Sequence, residues 1–145
     1  MKLGITVVLL FTACFAAPSS SADDDCAVAA QAIPLCTILA NAAKYDGKQI
    51  TIRGLYRMVI HGSILMGTGC SQIEVDLRRG PGYKADKKAS AIERALTKQD
   101  RFHAVDEVLR GTFRVAQKEQ CFGQICAPYE VEETELLCAS AQPSR

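Results

Sequence analysis

The side chains in this chain best suited to chemistry are its cysteines. There are seven. Cys14 lies inside an N-terminal apolar run, and Cys26, Cys36, Cys70, Cys121, Cys126 and Cys138 are spread over the rest. Zinc sites pair their ligands at C-x₂₋₄-C spacing. Cys121 and Cys126 barely meet that spacing, and no second close pair exists. No C-x-x-C redox motif occurs either. An even cysteine set behind an apolar leader instead describes an exported domain stapled by disulfides, with no metal and no cofactor. Six cysteines allow fifteen pairings. The layout favours Cys121–Cys126 across a hairpin, Cys36–Cys70 from the first helix to the end of the second strand, and Cys26–Cys138 between the domain ends.

Other groups offer weaker chemistry. His61 and His103 are the only histidines, and neither stands beside a nucleophile in a G-x-S-x-G elbow. They read as loop residues. Gly67-Thr68-Gly69 lacks the Lys and the following helix of a phosphate loop. Carboxylates cluster as Glu74 with Asp76, Asp106 with Glu107, and Glu130, Glu132, Glu133 and Glu135. Glu74 with Asp76 and Glu130 with Glu132 each share a strand face, which could serve acid–base or metal chemistry, but carboxylates in a half-buried sheet belong by default to its wet face, and these are read so. No catalytic residue is therefore expected.

The leader bounds the domain. Met1-Lys2 is followed by the uncharged run LGITVVLLFTA and then AAPSSSA. The run is too short to span a bilayer, and Ser20-Ser21-Ala22 fits small-x-small processing. Residues 1–22 read as a cleaved signal peptide and 23–145 as one domain. Cys14 leaves with the leader. Read instead as a lipoprotein site, Phe11-Thr12-Ala13-Cys14 would anchor the domain to a membrane. The expected location is periplasmic or secreted, and membrane-anchored only if Cys14 carries a lipid.

Without the leader the chain has as many basic as acidic side chains, so it is no general polyanion binder. The charge is unevenly placed. Arg78 to Arg101 holds eight basic and three acidic residues, whereas Glu119 to Cys138 holds five glutamates and no Lys or Arg. The two stretches read as solvated faces, or as a polar surface that orients a partner.

The elements follow from periodicity. Leu35, Ile38, Leu39 and Ala42 form one helical stripe behind Pro34, and Tyr45-Asp46-Gly47-Lys48 reads as a turn. Lys48–Met58 alternates as a strand, with Gly54 marking a bend. His61-Gly62-Ser63 turns into a second strand from Ile64, and Ile73, Val75 and Leu77 mark a third. Gly80-Pro81-Gly82 breaks the chain. Asp86 caps a helix to Gln99 with Ala85, Ala89, Ile92 and Leu96 on one face. Val105–Val115 and Tyr129–Leu137 are strands joined by a polar loop over 117–124, the latter with a bulge between Val131 and Leu136. The fold is thus mainly β with two helices: N-terminal helix, three strands, helix, two strands. A helix between the third and fourth of five strands is the order of the OB-fold, a small β-barrel.

The run Leu35-Cys36-Thr37-Ile38-Leu39-Ala40-Asn41 through Tyr45-Asp46-Gly47-Lys48-Gln49-Ile50-Thr51-Ile52-Arg53-Gly54 resembles the opening of small, uncharacterised bacterial exported proteins with an OB-like fold. Their pattern is L-C-x-L-L-x-N-P-x-x-Y-x-G-K-x-V-x-V-x-G, followed by a turn like His61-Gly62-Ser63 and a cysteine like Cys70. Gly111-Thr112-Phe113, Phe122-Gly123 and Pro128-Tyr129-Glu130-Val131 are similar to their closing strands. Ala42 stands where those proteins often have Pro, and the pair Cys121 and Cys126 is extra. The resemblance implies fold and compartment and carries no activity.

The function expected is that of an exported, non-enzymatic binding or structural module whose partner is an envelope protein or a small ligand. By analogy with OB strands two and three, its binding face would carry Arg53, Leu55, Arg57 and the turn residue His61. Two alternatives stand beside it. One is an envelope enzyme or enzyme inhibitor with a loop-borne site. The other is a nucleic-acid-binding OB domain, disfavoured by the lack of Trp, by only four Tyr and five Phe, and by neutrality.

Overall fold

The structure, a computed structural model, describes residues 26–70, 73–100, 102–122 and 125–141. The leader, Cys14 and the acidic tip at 23–25 lie outside the described residues, as does Gly123. The described chain is mainly β, with one six-stranded mixed sheet and three helices. After a 3-10 turn at Ala29–Gln31 come β1 (Ile33–Pro34), α1 (Leu35–Leu39), α2 (Ala42–Tyr45), β2 (Lys48–Val59), β3 (Gly62–Met66), β4 (Glu74–Ala85), α3 (Lys87–Gln99), β5 (Val105–Phe122) and β6 (Ile125–Ala141). Strand neighbours run β1-β2-β3-β4-β6-β5, and β2 also pairs with β5, so the pairings return to β2. β4 and β6 run parallel, and so do β1 and β2; the other pairs are antiparallel.

Four local expectations are corrected. The first helix is two short ones, because the chain turns at Ala40-Asn41 and the Asn41 amide donates back to the Thr37 carbonyl at 3.0 Å. With β1 ahead of it, the order of elements opens differently from the one read in the sequence. Gly80-Pro81-Gly82 does not end the third strand. It lies within β4, where the register to β6 shifts between Arg79 and Lys84 and the stretch makes no ladder pair. A proline costs no ladder bond where there is none to lose. The polar stretch from 117 is strand rather than loop, continuing β5 to Phe122 opposite Ile125. The β2–β3 turn lies at Ile60-His61, with Gly62 already in β3.

The rest follows the residue pattern. Asp86 caps α3, its carboxylate accepting from the Lys88 and Ala89 N–H groups at 2.9 and 3.0 Å, worth about 1 kcal/mol. Gly47, at φ 71°, turns α2 into β2 while its N–H reaches the Phe113 carbonyl. The expected bulge in the last strand is present: Glu133 opposes Gly111 and Glu135 opposes Arg110, so Thr134 is left over. At Gly111 a Cβ would lie 2.8 Å from the Glu132 carbonyl oxygen, so only glycine fits where β5 meets that bulge. One core, with Leu35, Ile52, Leu65, Val75, Leu109, Phe113 and Val131 among its members, fills the inner side of the strands.

The six cysteines form Cys26–Cys138, Cys36–Cys70 and Cys121–Cys126, the pairings the layout favoured. Cys26–Cys138 spans 112 residues of sequence; closing so long a loop contributes about 4–5 kcal/mol in the chain-entropy model. Gly67 leaves room for Cys36–Cys70, since a Cβ there would overlap both sulfurs. No helix among the described residues is long and apolar enough to cross a membrane.

Candidate functional site: a carboxyl cluster inside the strands

Alternation along β5 places Val105, Glu107 and Leu109 on one side, and that side is the core. Glu107 is therefore interior, only 2% exposed. The same parity carries Glu133 inward beside Val131 on β6, and Arg79 beside Val75 and Leu77 on β4. On α3, Glu93 shares the buried stripe of Ala89, Ile92 and Leu96. Glu133 is 2% exposed and Glu93 8%. Three carboxyls from three elements thus meet one guanidinium from a fourth.

The geometry is uneven. Arg79 Nη2 donates to both Glu93 oxygens, at 2.9 and 3.2 Å. Its Nε stands 3.8 Å from Glu133 Oε2, an ion pair without a hydrogen bond. The guanidinium stacks over the Tyr83 ring at 4.7 Å, a cation–π contact. Glu107 has no cation of its own among the described residues. Glu107 Oε1, Glu133 Oε1 and the Tyr83 hydroxyl are buried without a hydrogen-bond partner there.

One positive charge cannot neutralise three buried negative ones, so the cluster holds protons. Burial pushes the Glu107 carboxyl up to about 9, reinforced by the charges of Glu93 and Glu133 and opposed by Arg79. Burial likewise pushes Glu133 up to about 7, with Arg79 pulling back and Glu93 adding to the rise. The Tyr83 phenol is raised by burial and by Glu133. Tyr56, on the inner side of β2, is raised mainly by burial and shares a hydrogen bond with Ser63 at 3.3 Å. At neutral pH the interior is a partly protonated acid cluster.

This corrects the assignment of the carboxylates to a wet face. Glu107 and Glu133 are in the core. Asp76, on the opposite face of β4, is also buried at 2% exposure and accepts from Arg78 Nε at 2.6 Å. A signal existed: each interior glutamate shares the parity or helical stripe of its apolar neighbours. Among the described residues no group of three or more His, Cys, Asp or Glu is arranged to hold a metal ion.

The outward face of β2 carries the residues expected to bind. Arg53 clasps Asp106 of β5 with both nitrogens, at 3.2 and 2.7 Å. Leu55 is buried at 8% exposure. Arg57 is half-buried, with its Nε enclosed and unpartnered, opposite Ile64 in the ladder. His61 is exposed at the β2–β3 turn beside Ile60, which is 74% exposed. The structure brings Arg53, Leu55 and Arg57 to one strand face, and His61 to its end.

No protein-family model matches this chain, and no curated protein or solved structure matches it either.

Proposed function

We propose that the protein is an exported binding module built on an OB-type barrel, related to the bacterial exported proteins its sequence resembles and working in the periplasm or outside the cell. The observation that carries this reading is the complete use of six cysteines in three bridges spanning the domain. Such bridges persist where the surroundings are oxidising, and they leave no thiol for chemistry in the domain. The circuit β2-β3-β4-β6-β5-β2, with α3 between β4 and β5, supports the OB order. Arg57 and His61, beside the β2–β3 turn, are the groups of that face that a ligand would meet first; this assignment is fold analogy.

A second reading, an envelope enzyme, draws on the perturbed carboxyls. The cluster disfavours it, because Glu107 and Glu133 are closed off from solvent and only Arg79, with its side chain 52% exposed, leads outward.

The test is the mass of the full chain expressed with its leader in a bacterial host, recovered from the envelope fraction, intact and digested, with and without reductant. The expected result is a processed chain with six oxidised cysteines. A lipid on Cys14 would register in the same spectrum and move the module to a membrane anchor. Six free thiols in the processed protein, or an unprocessed chain in the cytoplasm, would sink the proposal.

A further inference from the structure

Four outward arginines of the sheet are each matched by a carboxylate: Arg53 with Asp106, Arg78 with Asp76, Arg110 with Glu135 and Arg114 with Glu132. Helix α3 is different. Its outer stripe reads Lys87, Ala91, Arg94 and Lys98, at i, i+4, i+7 and i+11, all exposed. Lys84, just before the helix, is exposed too. Among the described residues Lys84, Lys87, Arg94 and Lys98 have no carboxylate within ion-pair distance.

The acids of this segment are occupied elsewhere. Asp86 is held by the N–H groups of Lys88 and Ala89, Glu93 is turned inward to Arg79, and Asp100 accepts from the Phe102 N–H. The exposed face of α3 therefore carries a row of cations with no carboxylate partner among the described residues.

The shape of that face limits what it can bind. The cations are strung over about 16 Å of helix at 1.5 Å per residue, and Ala91 and Ala95 between them keep the surface shallow. No convergent set of donors marks a single anion. Among the described residues the exposed large apolar ones are Val28, Ile60, Phe102 and Val115, none of them on α3. A protein partner wants an aromatic or apolar anchor at its centre, and a nucleic-acid strand wants stacking rings. What remains is a laterally extended anionic surface without specific anchors.

We propose that the outer face of α3 docks the domain on a bilayer rich in anionic lipid headgroups. The inference rests on the binding-module reading and names one partner for it. Lys87, Arg94 and Lys98 supply the attraction, Lys84 extends it, and the docking is electrostatic and lost in salt.

The experiment is co-sedimentation of the exported protein with vesicles of equal parts phosphatidylglycerol and phosphatidylcholine, and with phosphatidylcholine alone, at low and physiological salt. A lipid on Cys14 would bind both vesicles alike, so the difference between them is what is read. We expect a preference for the anionic vesicles that weakens with salt. The variant Lys87→Gln/Arg94→Gln/Lys98→Gln should lose roughly a hundredfold in affinity, at about fivefold per cation. The variant Arg110→Gln/Arg114→Gln removes charges that are already matched and should change binding by less than about threefold. No preference for anionic vesicles, equal losses in both variants, or capture of an acidic peptide or single-stranded oligonucleotide in place of vesicles would overturn the inference. The mass of the same preparation separates the two failures. Oxidised cysteines without vesicle binding defeat the docking face and leave the module; free cysteines defeat the module itself.

Discussion

The two sides of the sheet handle carboxylates in opposite ways. Outside, Asp106, Asp76, Glu135 and Glu132 each have an arginine of their own. Inside, Glu93, Glu107 and Glu133 gather around Arg79 alone. The outer pairs mostly involve half-exposed arginines in water, where a pair contributes about 0–1 kcal/mol and salt weakens it. One cation cannot neutralise the inner set, so Glu107 and Glu133 hold protons instead. The ratio of carboxyls to guanidinium, together with burial, turns the same residue types into a proton store on one side and a solvated charge pattern on the other.

The comparison breaks most visibly at Arg79. Replacing it with Met removes the one cation that three buried carboxyls share. We expect a loss of about 2–4 kcal/mol at pH 8 by urea unfolding, below the usual cost of orphaning a buried charge because the guanidinium is half exposed. The loss should shrink toward pH 5 as Glu133 takes up its proton, Glu107 being mostly protonated already at pH 8.

Glu107 sharpens the comparison from the other side. In the unfolded chain this carboxyl ionises near 4.5, and in the folded chain near 9. Between those values the folded state holds a proton that the unfolded state has lost. Stability from this group is therefore full below pH 4.5 and falls as pH rises, by about 1.4 kcal/mol per pH unit, until the carboxyl ionises near pH 9. Glu133 adds the same slope up to about pH 7. The Glu107→Gln variant should flatten the decline between pH 7 and 9 and gain at least about 2 kcal/mol at pH 8, read from denaturation midpoints across that range.

The smallest effect belongs outside. Arg110→Ala breaks a 2.7 Å pair with Glu135 and should cost about 0–1 kcal/mol, less at high salt, with the pH profile between 7 and 9 unchanged.

Much of this was legible in the residues. Alternation placed β2 and the start of β5, Asp86 marked the start of α3, and the cysteine layout pointed to the bridges. Parity also carried Glu107 and Glu133 to the apolar side of their strands. Their charge argued the other way, and local pattern alone could not decide. What gathers around them is Arg79 and Tyr83 from β4 and Glu93 from α3, neighbours set by the parallel β4–β6 pairing and the seat of the helix. Those are tertiary facts with no local signature. Gly80-Pro81-Gly82 misled for a related reason: a segment without ladder partners in the middle of a long strand looks, residue by residue, like a strand end. At Ala40-Asn41 the apolar stripe runs on through a backbone turn that it does not record.

The most direct measurement of the proton store is a pH titration of the glutamate side-chain carboxyl carbons by NMR in the folded, oxidised protein. The account predicts that Glu107 ionises near pH 9 and Glu133 near pH 7, with the Glu107 midpoint falling when Glu133 is replaced by Gln. Both carboxyls fully ionised by pH 5 in the folded protein would contradict it.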